Sequence, residues 1–213
     1  MNRARVQLPV NRSTMAARTE SPLASTVADR LKRLIGKKGR SFERLAALSG
    51  INSEELLRIE AGTETPTINH LWRIANALGI PFGSLIASKG RRGVLVIRND
   101  HPQIVSSRDG NCRTRALFPY DCHRPVEFYE VILAPHHIQH AEAHAPGTKE
   151  NLVVAKGSVE VAVGREAPER LAEGDAIDFL ADVPHSYRNL GATLATFYLV
   201  MSYEPGSGTE CAS

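Results

Sequence analysis

The chain has 213 residues, 42% of them hydrophobic and 23% charged, which suits two domains of ordinary size and excludes a collagen, a coiled coil or wholesale disorder. Apolar runs such as LATFYLVM at 194–201 fall short of the roughly 18 residues of a membrane helix, the N-terminal residues have no apolar secretion-signal core, and three cysteines without a CxxC pair exclude a disulfide framework; a cytoplasmic chain with no membrane partner is expected. The net charge of +3 is uneven: residues 25–90 carry ten Lys and Arg against six acids, and residues 91–213 twelve against sixteen, so a basic front half suited to a polyanion precedes an acidic back half.

Residues 1–24 lack periodicity and are expected to form a flexible arm. From Thr26 to Leu85 apolar residues recur at helical spacing (Val27, Leu31, Leu34; Leu45, Leu48; Leu56, Ile59; Ile68, Leu71, Ile74, Leu78; Phe82, Leu85), which predicts five short helices over 25–87. Ser41, Asn52 and Thr67 stand at cap positions, and Gly39, Gly50, Gly62 and Gly79 at helix ends. SKGRRGV at 88–94 marks a linker, assigned with lead-in strands to 88–112. Beyond it come VLVI, RTRALF, VEFYEVIL, NLVVA, VEVAVG, AIDFL, SYRNL and LATFYLVM, separated by Gly, Pro, Asp and Asn. This spacing predicts an all-β barrel or sandwich over 113–203, followed by a tail at 204–213.

SFERLAALSGINSEELLRIEAGTETPT reads as two helices around a glycine turn. With Leu56 and Ile59 turned to the core, Glu54, Leu57 and Arg58 point outward, with Ser53 and Glu55 at the edges. Residues 26–86 resemble the phage-repressor-like (XRE-type) helix-turn-helix domains, matching S-x-x-x-L-A-x-x-x-G-[IV] from Ser41 and L-x-x-I-E-x-G-x-x-x-P-[ST] from Leu56, with Asn52 as cap. The resemblance implies that the third helix enters the major groove of a double-stranded DNA operator. There Arg58 reads guanine or holds a phosphate, and Glu54 accepts from a cytosine amino group. Lys37, Lys38 and Arg40 are available to phosphates, and Phe42 stands where the family often has Gln.

Four of the eight histidines fall within HHIQHAEAH at 136–144. If this segment is a strand, alternation puts His140, Glu142 and His144 on one face; Glu150 follows a Pro-Gly turn, and His185 comes later in PHSYRN. Two His and a carboxylate suit one divalent metal, zinc, iron, manganese or nickel. His136, His137, His70, His101 and His123 are expected at the surface. Residues 113–203 resemble the cupin (jelly-roll) barrel, with His144-x5-Glu150-x6-Gly157 as first motif and Gly174-Asp175 with Pro184-His185-x3-Asn189 as second. The resemblance implies a metal on His144, Glu150 and His185. Two departures are the five-residue gap before Glu150, and Glu142-x-His144 where cupins carry His-x-His; the fourth ligand is His140, Glu142, water or none.

A barrel interior is also a small-molecule pocket. Tyr120, Phe128 and Tyr187 are candidate lining residues, with core packing as the alternative, and Arg113, Arg115 and Arg188 are candidate partners for a ligand carboxylate. The joined pattern resembles bacterial regulators, closest to the sulfur-utilisation and amino-acid-responsive members. That likeness implies a non-enzymatic homodimer, joined through its barrels, whose small-molecule effector modulates operator binding. Two alternatives stay open. An iron-dependent epoxidase shares the layout, with His144, Glu150 and His185 as its triad, and a barrel serving only for dimerisation needs no metal.

Overall fold

The computed structural model describes residues 22–38, 41–86, 96–99, 104–118 and 126–203. Nearly all of the expected arm, the SKGRRGV linker run, the tail, and Gly39, Arg40, His101, Tyr120 and His123 lie outside them.

Four α-helices open the chain: α1 (Pro22–Lys38), α2 (Phe42–Ser49), α3 (Ser53–Glu60) and α4 (Ile68–Leu78). The fifth expected helix is a single 3₁₀ turn, Phe82–Leu85, entered and left through i→i+3 bonds, from the Ser84 N–H to Pro81 and from the Ile86 N–H to Gly83. The boundaries follow from capping chemistry. Ser41 accepts from the Arg44 N–H, Asn52 from Glu54, and Thr67 forms a capping box with His70. Gly50 turns α2 into α3 at φ 63°, a left-handed conformation a side chain disfavours. The apolar stripes meet in a core where Leu31, Leu45, Leu56, Ile59, Leu71 and Leu78 are wholly buried.

Ten antiparallel strands follow, in two sheets. The larger has the order β1 (Ile104–Ser106), β2 (Cys112–Phe118), β3 (Val126–Leu133), β10 (Ala195–Ser202), β5 (Lys149–Lys156), β8 (Ala176–Leu180). The smaller runs β4 (Ile138–Ala141), β9 (His185–Asn189), β6 (Val159–Val163), β7 (Glu169–Leu171). Among the described residues no strand pairing joins the sheets, so the expected barrel or sandwich takes the form of a two-sheet jelly roll that is not closed. Alternation sets the interior: Glu127, Tyr129, Val131 and Leu133 of β3 face Ala195, Phe197, Leu199 and Met201 of β10 from buried positions. At the β5–β6 turn Gly157 has φ 83°, and a side chain there would meet the Ala195 backbone at 3.3 Å. Asn189 fastens the far end, donating to the carbonyls of Leu133, Ala134 and Thr193 and accepting from Gly191 N–H. Within the described residues VLVI forms no strand.

The two domains share one hydrophobic core. α4 makes the junction because it carries two stripes at helical spacing. Ile68, Leu71, Ala75 and Leu78 are buried in the helical domain. Asn69, Trp72, Arg73 and Asn76, at i, i+3, i+4 and i+7, meet Gln139, His144, Glu142 and the Ala143 carbonyl of the second domain. The 3₁₀ turn adds Phe82, stacked on Trp72 at 4.4 Å and edge-on to Tyr129 at 5.7 Å, and Gly83, whose N–H donates to Glu127 Oε1 at 2.8 Å.

Candidate metal centre and its helical cover

His144, Glu150 and His185 come together inside the second domain, their ligand atoms all within 4.8 Å of one another. Glu150 lies on an inward position of β5 opposite Met201, and His185 opens β9 opposite Ala141 and Val163. His144 precedes β5, its N–H donating to the Ala181 carbonyl at 2.9 Å. The expected shared face fails because β4 ends at Ala141. Past that point Glu142 reaches outward to Arg73 and His144 turns in, while His140 is exposed and stands outside the trio.

Glu150 Oε1 is 3.0 Å from His144 Nε2 and 3.6 Å from His185 Nε2, and Tyr187 donates its hydroxyl to the other oxygen. Burial alone would raise the Glu150 pKa, but the two imidazoles set against its carboxylate, His144 by a hydrogen bond, outweigh it and hold the carboxyl down to about 2. Burial lowers the His144 pKa. His185 is raised: burial opposes its charge, and the Glu150 carboxylate overcomes that cost. His185 Nδ1 lies 2.8 Å from the Val183 carbonyl, a pure acceptor, so Nδ1 carries the proton and Nε2 points at Glu150 without a hydrogen-bond partner. A backbone carbonyl fixing the rear nitrogen while the front one stays free is the usual support for a metal-ligating histidine. The residues therefore fit a divalent cation. The trio can hold one, with Tyr187 orienting the carboxylate from behind.

Trp72 covers this centre. Its indole stacks on the His144 imidazole with 3.9 Å between ring centres and 12° between planes. A cavity of about 50 Å³ lies beneath, lined by Glu150, Tyr187, Tyr129, Cys112, Leu199 and Met201 among others. A wider groove of about 530 Å³ runs outside between α4 and the smaller sheet, past Asn69, Arg73, Glu142, Pro184, His185 and Ser186. Trp72, His140 and Ala141 belong to both walls.

A family model for the cupin domain matches residues 129–202 and one for the helix-turn-helix matches 31–85. The HTH-type transcriptional regulator SutR of Escherichia coli K12 is 30% identical over 181 residues, covering 85% of this chain and 97% of that protein. The chain belongs to this family of helix-turn-helix transcriptional regulators with a cupin domain. The crystal structure of an HTH_3 family transcriptional regulator from Vibrio cholerae matches this regulator with a TM-score of 0.72 at 30% identity, covering 88% of this chain and all of that one. Hydroxypropylphosphonic acid epoxidase from S. wedmorenis matches more loosely, with a TM-score of 0.43 at 21% identity over 84% of this chain and 98% of that one.

On the DNA-binding side of the regulator, Ser53, Glu54, Leu57 and Arg58 are exposed on α3 while Leu56 and Ile59 are buried. Glu55 is turned aside: it meets His70 Nε2 at 3.3 Å and Arg108 of the β1–β2 turn at 3.0 Å. His70 is thus a buried interface residue, not the surface residue expected; its Nδ1 accepts from the Thr67 N–H, which leaves Nε2–H to donate to Glu55. Arg58 Nε donates to Glu64 at 2.8 Å. Phe42 is half-buried against the core, and Lys37 and Lys38 end α1.

Of the expected effector residues that the structure describes, only Tyr187 reaches the centre. Arg113 and Arg115 share the outer face of the larger sheet with Glu130, 3.6 Å from Arg115. Phe128 stacks on Phe118 on the same outer face, and Arg188 is exposed beside Glu160. One residue's displacement along a strand puts a side chain on the other face, and the short runs did not fix that parity. Trp72, Arg73 and Gln139 went unnoticed at the site. The signal was present in the Asn69, Trp72, Arg73, Asn76 stripe, which has helical spacing but points away from its own domain's core.

Proposed function

We propose that this regulator senses a small molecule in its cupin domain, with a divalent metal (zinc, iron, manganese or nickel) on His144, Glu150 and His185, and converts occupancy into a change of operator affinity. The observation that carries the reading is the Trp72 indole lying on His144, which puts part of the DNA-binding domain against the sensor's centre. When bound, the metal supplies a Lewis-acidic anchor for a donor atom of the effector. The chain's own residues do the rest: Glu150 would offset part of the cation's charge and the imidazoles would donate lone pairs, Tyr187 fixes the carboxylate, and α4 excludes water. Two subunits joined through their cupin domains present two α3 helices about one DNA turn apart, ~34 Å, to a palindromic operator in the cytoplasm. Ser53, Glu54, Leu57 and Arg58 face the bases, with Lys37, Lys38 and Arg40 toward phosphates and Phe42 and Glu55 supporting α3. Mapping the DNA the protein occupies, and repeating operator binding with and without a chelator, tests this. Occupancy of defined palindromes that no metal or small molecule modulates would sink the sensor half of the reading.

Two histidines and a carboxylate also suit a mononuclear iron oxygenase. Anaerobic loading with Fe(II), followed by oxygen consumption with candidate substrates, separates the readings; sustained consumption would make the regulator an enzyme as well.

A further inference from the structure

We infer that the effector site is completed by the DNA-binding domain, with Trp72 as its gate and Arg73 as the anchor for a small carboxylate. This rests on the sensor reading above and deepens it. Three observations carry it. The cavity beside Glu150 measures about 50 Å³, room for a few waters, whereas small-molecule sites run to roughly 300–1,000 Å³. No metabolite fits it while the indole lies on His144. The groove outside measures about 530 Å³, and Trp72, with His140 and Ala141, is the partition. Swinging the indole aside merges the two spaces into one of ligand size that reaches from Arg73 to Glu150.

The chemistry of the ligand follows from what Arg73 already holds. Its Nε and Nη2 both donate to Glu142 Oε1, at 3.1 and 2.9 Å. The Arg73 and Glu142 side chains are 42% and 59% exposed, so the pair is weakly held and exchangeable. A small carboxylate entering the groove replaces Glu142 at the guanidinium with the same geometry. Its body then takes the space of the indole, over the imidazole of His144.

Regulation follows from position. Trp72 and Arg73 are neighbours on α4, whose other stripe is the core of the helix-turn-helix domain. Loss of the Trp72–His144 stack and of the Arg73–Glu142 pair removes two contacts through which α4 meets the cupin domain; those of Asn69 and Asn76 remain. The carboxylate-bound state thus has a looser junction, and the ligand biases the orientation of α3 by its differential affinity for the two arrangements.

Trp72 is the only tryptophan in the chain, so intrinsic fluorescence reads the gate without labelling. The experiment titrates the full-length protein with propionate, lactate and 3-mercaptopropionate, and with propionamide as the neutral isostere, following Trp72 emission, melting temperature and operator affinity together. We expect a saturable emission change with at least one carboxylate and none with propionamide. Arg73→Gln weakens that change at least about tenfold, the worth of a charge-assisted hydrogen bond, and Glu142→Gln, which removes the internal competitor, strengthens it. Unchanged emission with all three carboxylates overturns the gate, as does an equal response to propionamide or an unaltered response in Arg73→Gln. The two readings separate cleanly. A carboxylate that shifts melting and operator affinity with unchanged emission keeps the sensor and sinks the gate; an emission change with unaltered operator affinity keeps the site and removes the sensor.

Discussion

Two acid–base contacts of nearly equal length sit in the two domains of this regulator. Arg58 and Glu64 meet at 2.8 Å beside α3, with Arg58's side chain 53% exposed; His144 and Glu150 meet at 3.0 Å with side chains 2% and 1% exposed. Separation therefore does not distinguish them, and solvent does. At the surface, water competes for both partners and the pair contributes little. In the interior the Glu150 charge is held only by the groups packed on it, among them His144, whose own charge burial disfavours, and removing those groups strands the carboxylate. The first arrangement suits a side chain that exchanges partners, the second a centre that must hold its shape.

The sharpest break of this contrast is Glu150→Gln. In metal-free protein it replaces the charged acceptor of His144 and Tyr187 by a neutral amide and is expected to cost about 2 kcal/mol in urea unfolding; it should also abolish metal uptake measured by elemental analysis. Glu127 extends the comparison to a carboxylate buried without a cation. Burial pushes its pKa up to about 7, against partial relief from the Tyr129 hydroxyl and the Gly83 N–H. The folded state then binds the proton more tightly than the unfolded chain. Its stabilising contribution is full below the ordinary value of 4.5, falls as pH rises, and is lost above about 7. Glu127→Gln should flatten that stretch of the stability–pH curve, and an unaltered slope would refute the assignment.

At the exposed end, effects shift from stability to DNA. Arg58→Ala is predicted to weaken operator binding about tenfold with no change of melting temperature, read by fluorescence anisotropy and calorimetry. Asn52→Ala removes the α3 cap, whose Oδ1 accepts the Glu54 N–H at 2.8 Å, for about 1 kcal/mol. The smallest effect belongs to Glu64→Gln: melting stays unchanged while operator affinity rises slightly, because Arg58 no longer has to leave a partner. A clear loss of stability there would mean that the surface pair is not the weak one.

The helical domain was legible because its breaks have local causes. Ser41, Gly50, Asn52, Thr67 and Gly79 each act on backbone within a few residues, and a sequence displays such neighbours side by side. His144, Glu150 and His185 were legible for a different reason, the spacing carried by the cupin resemblance. Where argument by alternation replaced that spacing it failed: a strand ending at Ala141 put His140 outside and Glu142 onto Arg73. β7 escaped notice because three residues, ERL, carry too little pattern to register. The cover over the site was hidden by distance along the chain. Trp72 and His144 are brought together only when two domains dock, and no local preference of either residue encodes that meeting.

The shared core at this junction bears on how such regulators can be taken apart. The chain divides neatly on paper between a helix-turn-helix and a cupin, yet Phe82 packs on Tyr129 and the Gly83 N–H reaches buried Glu127. Cutting between them bares oily surface on one piece and strands a carboxylate on the other. A chimera that grafts a foreign reading head onto this cupin would have to transplant Asn69, Trp72, Arg73, Asn76 and the Phe82 turn with it. The unit of exchange is the sensor together with the outer face of α4, one helix inside the boundary that the sequence suggests.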